Sequence, residues 1–257
     1  MDHWTEKFFL KKPELWLHFL DRGWRHSGIA VRGILKILKR HGVEHGKLLE
    51  IACGNGRICI PIAKKGYDVI GVDISALYIE DAKRHAIKNK VKVRFIRGDM
   101  RKLDRLVRGR FDAILSIWTS IGYHDKKTDE KLFRMVARHL RRNGLFLIFN
   151  TMSQEYLLNH YCGSMFNETD KYLVLHKDNR FDRYQSINEE KWVFYEKTGK
   201  DLKYVDELEL KLRIYSLSEI VEMAEDSGLR FVEAYDNLKN LLPAGSDSVI
   251  NIVLRKK

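Results

Sequence analysis

Two carboxylates and a pair of glycines are the first residues in this chain whose spacing could do chemistry. Glu50 sits in the run Leu48-Leu49-Glu50-Ile51-Ala52-Cys53-Gly54-Asn55-Gly56-Arg57, and Asp73 closes Val69-Ile70-Gly71-Val72-Asp73, nineteen positions after Gly54. Glycines let a backbone turn sharply and a ligand approach closely, while Arg57 onward supplies a helix N-terminus. A strand, a glycine turn opening a helix and a second strand ending in a carboxylate is how an adenosine-containing cofactor is usually held. The pattern points to such a cofactor, and so to an enzyme.

Such groups need a scaffold of alternating strands and helices. Strands are expected at 47–52, 68–72, 92–96, 111–117 and 145–150, each bounded by turn residues and mostly followed by a helical pattern. Short apolar strands alternating with helices imply a parallel sheet covered on both faces. Before them, the first 45 residues read as two helices, one opened by Pro13 and carrying Leu15, Trp16, Phe19 and Leu20, the other ending at His41-Gly42. After Asn150 the alternation stops. Residues 171–215 read as antiparallel hairpins, with breaks at Asp178-Asn179 and Thr198-Gly199; a helix at 217–227 and strands at 230–235 and 249–254 complete the chain.

Composition narrows the function classes. A chain of 257 residues with 44% apolar and 11% aromatic content can fill a core. No apolar run approaches the roughly 18 residues of a membrane span, and the N-terminus, Asp2 included, lacks a signal peptide's layout, so a cytoplasmic protein with no membrane partner is expected. Cys53, Cys59 and Cys162 show no metal spacing, so neither a metal site nor a disulfide framework is expected. The net charge of +12 is regional: residues 81–110 hold twelve Lys or Arg against three Asp, whereas residues 151–215 hold ten basic and twelve acidic residues. A solvated basic face accounts for the first of these, with RNA binding as the rival.

The glycine motif is not a dinucleotide fingerprint, because Cys59 stands where a third glycine belongs; nor is it a Walker loop, since no Gly-Lys-Ser or Gly-Lys-Thr follows. The run Glu50-Ile51-Ala52-Cys53-Gly54-Asn55-Gly56, with Asp73, Gly98-Asp99-Met100 and Phe111-Asp112-Ala113-Ile114-Leu115-Ser116-Ile117 in order, resembles the class I S-adenosylmethionine-dependent methyltransferases. The ending Tyr235-Asp236-Asn237-Leu238-Lys239 is similar to that of archaeal methyltransferases of this size. The resemblance implies a doubly wound, Rossmann-like α/β fold whose seven-stranded sheet has its last strand antiparallel. It also implies S-adenosylmethionine as cofactor, held by Glu50, Ala52, Gly54, Asn55, Gly56, Asp73, Ile74, Asp99, Met100 and Ser116. Glu50 and the glycine turn would border the methionine part, Asp73 the ribose, and Asp99 with Met100 the adenine.

The domain layout expected is a helical cap over 1–45, a cofactor-binding core over 46–150 and 216–257, and a β-rich lid over 151–215. The acceptor would be a small molecule methylated at nitrogen or oxygen, in a pocket lined by Trp24, Trp118, Trp192 and Tyr195, with His124 or Tyr123 taking a proton. A near-neutral lid argues against a polyanionic acceptor. Two rivals are an RNA methyltransferase using the basic 81–110 surface and a non-catalytic S-adenosylmethionine-binding protein. Nothing in the sequence speaks to oligomeric state.

Overall fold

In the computed structural model, which describes residues 3–257, the chain forms two sheets bridged by N-terminal helices. Residues 1 and 2 of the expected cap lie outside the described residues. The elements run α1 (Trp4–Glu6), a π-helical turn (Lys7–Lys11), α2 (Pro13–Arg40), β1 (Lys47–Ile51), α3 (Cys59–Ala63), β2 (Asp68–Asp73), α4 (Ala76–Lys88) and β3 (Arg94–Arg97). A 3₁₀ turn (Met100–Lys102), α5 (Leu103–Leu106), β4 (Phe111–Ile117), α6 (Lys126–His139), β5 (Leu140–Thr151) and α7 (Gln154–Asn159) follow. The second sheet is β6 (Met165–Glu168), β7 (Tyr172–Asp182), β8 (Ile187–Thr198) and β9 (Asp201–Arg213). The chain then returns through α8 (Leu217–Asp226), β10 (Leu229–Ala234) and β11 (Ile250–Lys256).

The main sheet has the order β10-β11-β5-β4-β1-β2-β3. Neighbours from β5 to β3 are parallel, and β11, the last strand of the chain, is antiparallel to both β5 and β10. Alternate residues of its central strands feed two cores. Leu48, Val69, Leu115 and Leu147 pack with Ile34, Ile37 and Leu38 of α2, while Leu49, Ile70, Ile114 and Phe146 pack with Phe133 of α6 and Ile220 of α8. This is the two-faced burial that parallel strands require.

Several boundaries differ from expectation for physical reasons. The two expected N-terminal helices are one helix of 28 residues. Its glycines do not break it, because an isolated Gly costs only about 1 kcal/mol and here permits close contact: a Cβ at Gly33 would stand 2.3 Å from the Leu238 carbonyl. Asp178-Asn179 is not a hairpin turn but a bulge inside β7, where the register shifts between Lys177 and Arg180 and Asp178 takes φ 55°. The turn comes later, where Asp182 Oδ1 accepts from the amides of Tyr184 and Gln185. The turn at Gly199, with φ 66°, falls where expected. β5 begins five residues earlier than its apolar run, at Leu140, where it pairs with Phe111.

Candidate active site

The C-terminal ends of β1, β4 and β5 share an uncommon backbone state. Ala52, Trp118 and Asn150 adopt φ of 53°, 68° and 53°, the left-handed region that side chains other than glycine rarely enter. All three line one cavity of about 990 Å³. Strain of this kind persists where surrounding structure over-determines it, as at binding sites.

The glycine turn closes onto the second strand. Gly54, at φ 54°, donates its amide to Asp73 Oδ2 at 2.8 Å, and the Ser75 amide donates to Oδ1 at 2.9 Å. Asp73 is 8% exposed, and burial pushes its carboxyl up to about 6 against those amide bonds. Glu50, also buried, is raised to about 7 by burial, although the Cys59 thiol donates to Oε2 at 2.8 Å and Arg57 favours the charged form. Arg57 itself is lowered to about 10 by burial, and its guanidinium lies 3.8 Å from the Trp118 ring centroid. The cavity thus presents two buried carboxylates suited to donors: hydroxyls at Asp73 and an ammonium at Glu50.

Of the residues expected from sequence, Glu50, Ala52, Gly54, Asp73, Ile74, Asp99, Met100, Trp118, Tyr123, His124 and Trp192 line this cavity. Five do not. Asn55 turns its amide away, donating to Asp21 and Asp81 at 3.0 and 3.3 Å. A Cβ at Gly56 would meet Phe95 at 2.8 Å, so its role is backbone turning, at φ 78°. Ser116 is buried against Ser120, which lines the cavity in its place. Trp24 stacks on His85 at 4.6 Å, because the cavity face of α2 runs through Trp16, Phe19, Leu20, Gly23 and Ser27, and one residue beyond Gly23 is a turn of 100° away. Tyr195, an odd number of residues from Trp192 on β8, points to the opposite sheet face and packs against Tyr204.

The proton-handling candidates sit in an aromatic corner. His124 packs against His3, the ring centroids 4.4 Å apart and the planes tilted by 32°, and is lowered to about 4 by burial and the Arg101 charge, so it is a neutral imidazole at pH 7. Tyr123 is half-buried between Trp4 and Phe9, and the burial of its hydroxyl keeps it protonated. For Asp99, burial is outweighed by Arg101, which pairs with it at 2.7 Å and holds its carboxyl below the usual range. Among the described residues, Asp21, Asp81 and His85 come close enough to share an ion, but protein donors already serve the carboxylates: Asn55 bonds both, and Arg84 pairs with Asp81 at 2.9 Å.

Sequence reasoning missed the far wall. Asn167, His176, Asn188 and Glu190 line the cavity from the second sheet, and Trp4, Phe8 and Phe9 line it from the N-terminal turns. The one available signal was period two on β8, where Asn188, Glu190, Trp192 and Phe194 share a face.

Residues 48–144 match the family model described as a methyltransferase domain. A putative methyltransferase of Bacillus subtilis, YqeM, is 31% identical over 129 residues, covering 50% of this chain and 51% of that protein. A dTDP-3-amino-3,4,6-trideoxy-alpha-D-glucopyranose N,N-dimethyltransferase of Streptomyces venezuelae is 33% identical over 135 residues, covering 51% and 53%. The match thus spans about half the length of these curated relatives. The structure of an S-adenosylmethionine-dependent methyltransferase from Clostridium acetobutylicum superposes with TM-score 0.79 at 20% identity, covering 95% of this chain and 98% of that one, which is a likeness of fold.

Proposed function

We propose that this chain, which carries a domain of the class I S-adenosylmethionine-dependent methyltransferase family, binds S-adenosylmethionine and passes its methyl group to a nitrogen or oxygen of a small molecule. The observation that carries the reading is the Gly54–Asp73 contact: a buried carboxylate, fixed by two backbone amides, lining a large cavity at the ends of parallel strands. When bound, the cofactor supplies an electrophilic methyl on a sulfonium whose charge is lost on transfer.

The chain's own residues then have separable tasks. Asp73 accepts from the ribose hydroxyls, Glu50 from the amino group, and Asp99 with Met100 borders the base. Such transfer depends on alignment more than on acid–base chemistry, so the aromatic walls serve by orienting the acceptor and excluding water. His124, which burial and Arg101 hold neutral, can accept a hydrogen bond from an attacking group. In this reading, residues 46–150 and 216–257 hold the cofactor, 151–215 cover the acceptor and 1–45 close the site. The name of the Streptomyces relative, an N,N-dimethyltransferase, supports a small acceptor, as does the pairing of Arg101, a cavity arginine from the basic region, with Asp99.

Calorimetry with S-adenosylmethionine and S-adenosylhomocysteine tests the reading. Asp73→Ala is expected to weaken binding by roughly a hundredfold, the loss of two hydrogen bonds to a charged acceptor. If the wild-type chain binds neither compound, the assignment fails. Transfer of labelled methyl into a metabolite extract, run beside tRNA, separates the rivals: an RNA enzyme labels tRNA with steep salt dependence, and a non-catalytic binder labels nothing.

A further inference from the structure

The inner face of the second sheet carries polar groups that no step above uses. Strand alternation and the pairing of β7, β8 and β9 place His176, Asn188, Glu190 and Trp192 on this face, with Leu210 and Leu212 opposite Glu190 and Asn188. The outer face is a lattice of exposed ion pairs, Lys211–Glu189 and Lys191–Glu207. The inner carboxylate is different in kind.

Glu190 Oε1 accepts from Asn188 Nδ2 at 2.6 Å, and Oε2 accepts from Trp192 Nε1 at 2.7 Å and faces His176 Nδ1 at 3.4 Å. His176 Nε2 is in turn met by the Asn167 amide at 3.1 Å. Indole, amide and imidazole thus converge on this carboxylate. Together they hold the Glu190 carboxyl below the usual range despite its burial, so the cavity wall carries a carboxylate here. Because Glu190 only accepts, the Asn188 amide is oriented with Nδ2 toward it, which leaves Asn188 Oδ1 buried with no partner in a side chain only 3% exposed that lines the cavity. A buried acceptor without a donor, two residues from a carboxylate on the same strand face, is costly to leave unpartnered.

We propose that Glu190 and Asn188 form a subsite for an ammonium group, and hence that the acceptor is an amine whose apolar body lies against Trp192, Leu210 and Leu212. The proposal rests on this cavity being the transfer site argued above. An ammonium supplies a donor to the unpartnered Asn188 Oδ1 and a positive charge beside the Glu190 carboxylate, and the Trp192 ring adds a cation–π surface. Carboxylate- and phosphate-bearing groups are repelled from the same wall.

Three probes of one shape and different charge read the subsite: 2-phenylethylamine, 2-phenylethanol and phenylacetate, titrated at neutral pH into the full chain saturated with S-adenosylhomocysteine. The amine is expected to bind roughly tenfold or more tighter than the alcohol, and phenylacetate weakest. Glu190→Gln, which keeps the shape and removes the charge, should bring the amine to the level of the alcohol, and Asn188→Leu should weaken the amine several-fold. Both variants should keep wild-type affinity for S-adenosylhomocysteine and a wild-type melting profile. Absence of S-adenosylhomocysteine binding in the wild type would instead overturn the functional reading. If that binding is intact but no probe binds, or amine and alcohol bind alike, or Glu190→Gln leaves the order unchanged, there is no ammonium subsite.

Discussion

Glu50 lies buried near the end of β1, and under the proposed function its protonation would tie stability to cofactor binding. Burial raises its carboxyl from 4.5 to about 7 in the folded chain, so the fold binds this proton more tightly than the unfolded chain does. The stability that results is complete below the unfolded value near 4.5 and is lost as pH rises through about 7, up to about 3 kcal/mol for a shift of this size. An ammonium group beside Glu50 reverses the preference, because it favours the carboxylate. The unliganded chain is therefore expected to melt at lower temperature as pH rises from about 5 to about 7.5, while its affinity for S-adenosylmethionine climbs over the same range. Asp73 and Asp129, raised by burial to about 6 and about 7, act with the same sign on stability. Glu50→Gln should thus reduce the stability slope without abolishing it, and should flatten much of the affinity slope. Melting curves and calorimetry across pH check both; slopes identical to wild type would remove Glu50 from this role.

At the scale of elements, Gly122 joins the two sheets. In the loop after β4, its carbonyl accepts from the Arg213 amide at 2.9 Å, its own amide donates to Asp129 at 3.0 Å, and its φ is 98°. A Cβ there would stand 2.1 Å from the Arg213 carbonyl, a backbone atom that cannot swing aside. Gly122→Ala is expected to cost about 2 kcal/mol or more and to lower the melting temperature by roughly 5 °C. It should also speed hydrogen exchange at the Arg213 amide. Gly42→Ala is the control: φ is 78° but nothing lies within 4 Å, so only the smaller conformational cost applies. Equal losses in the two variants would mean that the contact to β9 is without weight. Elements like β1, β2 and β4 were legible in the sequence because each is an apolar run ended by turn residues, and the cavity-lining residues at their ends followed from them. Trp24 and Tyr195 were misread because aromatic character does not say which side of a helix or strand faces inward. Asn188 and Glu190 were invisible for a further reason: alternating polar residues on an antiparallel strand look solvated until another part of the chain covers them.

That covering comes from the N-terminal segment, and it organises the whole molecule. Phe8 and Leu15 pack with Tyr172, Val174, Phe194 and Leu208 of the second sheet, while Trp4 meets Tyr123 of the core at 5.2 Å. Outside this aromatic wedge, Arg25 pairs with Asp170 at 2.8 Å, Arg22 donates to the Glu168 carbonyl at 2.6 Å, and Lys12 pairs with Asp206. The exposed pairs are worth little singly, but burying an aromatic side chain stabilises by about 2 kcal/mol, so the wedge rather than the ion pairs holds the second sheet against the core. No helix among the described residues is long and apolar enough to cross a membrane; Trp4 of α1 and Phe8 and Phe9 of the π-helical turn line the cavity. Removal of residues 1–12 should leave the main sheet formed, since Ile34, Ile37 and Leu38 of α2 still cover it. It should uncover the cavity, raise binding of an apolar dye and make the β7–β8 and β8–β9 turns sensitive to protease. S-adenosylhomocysteine affinity should fall far less than methyl transfer, because Glu50, Gly54 and Asp73 are untouched while water now reaches the acceptor. Equal protection of the second sheet in the shortened and full chains, with turnover unchanged, would show that β6 to β9 close the site without help from the N-terminal wedge.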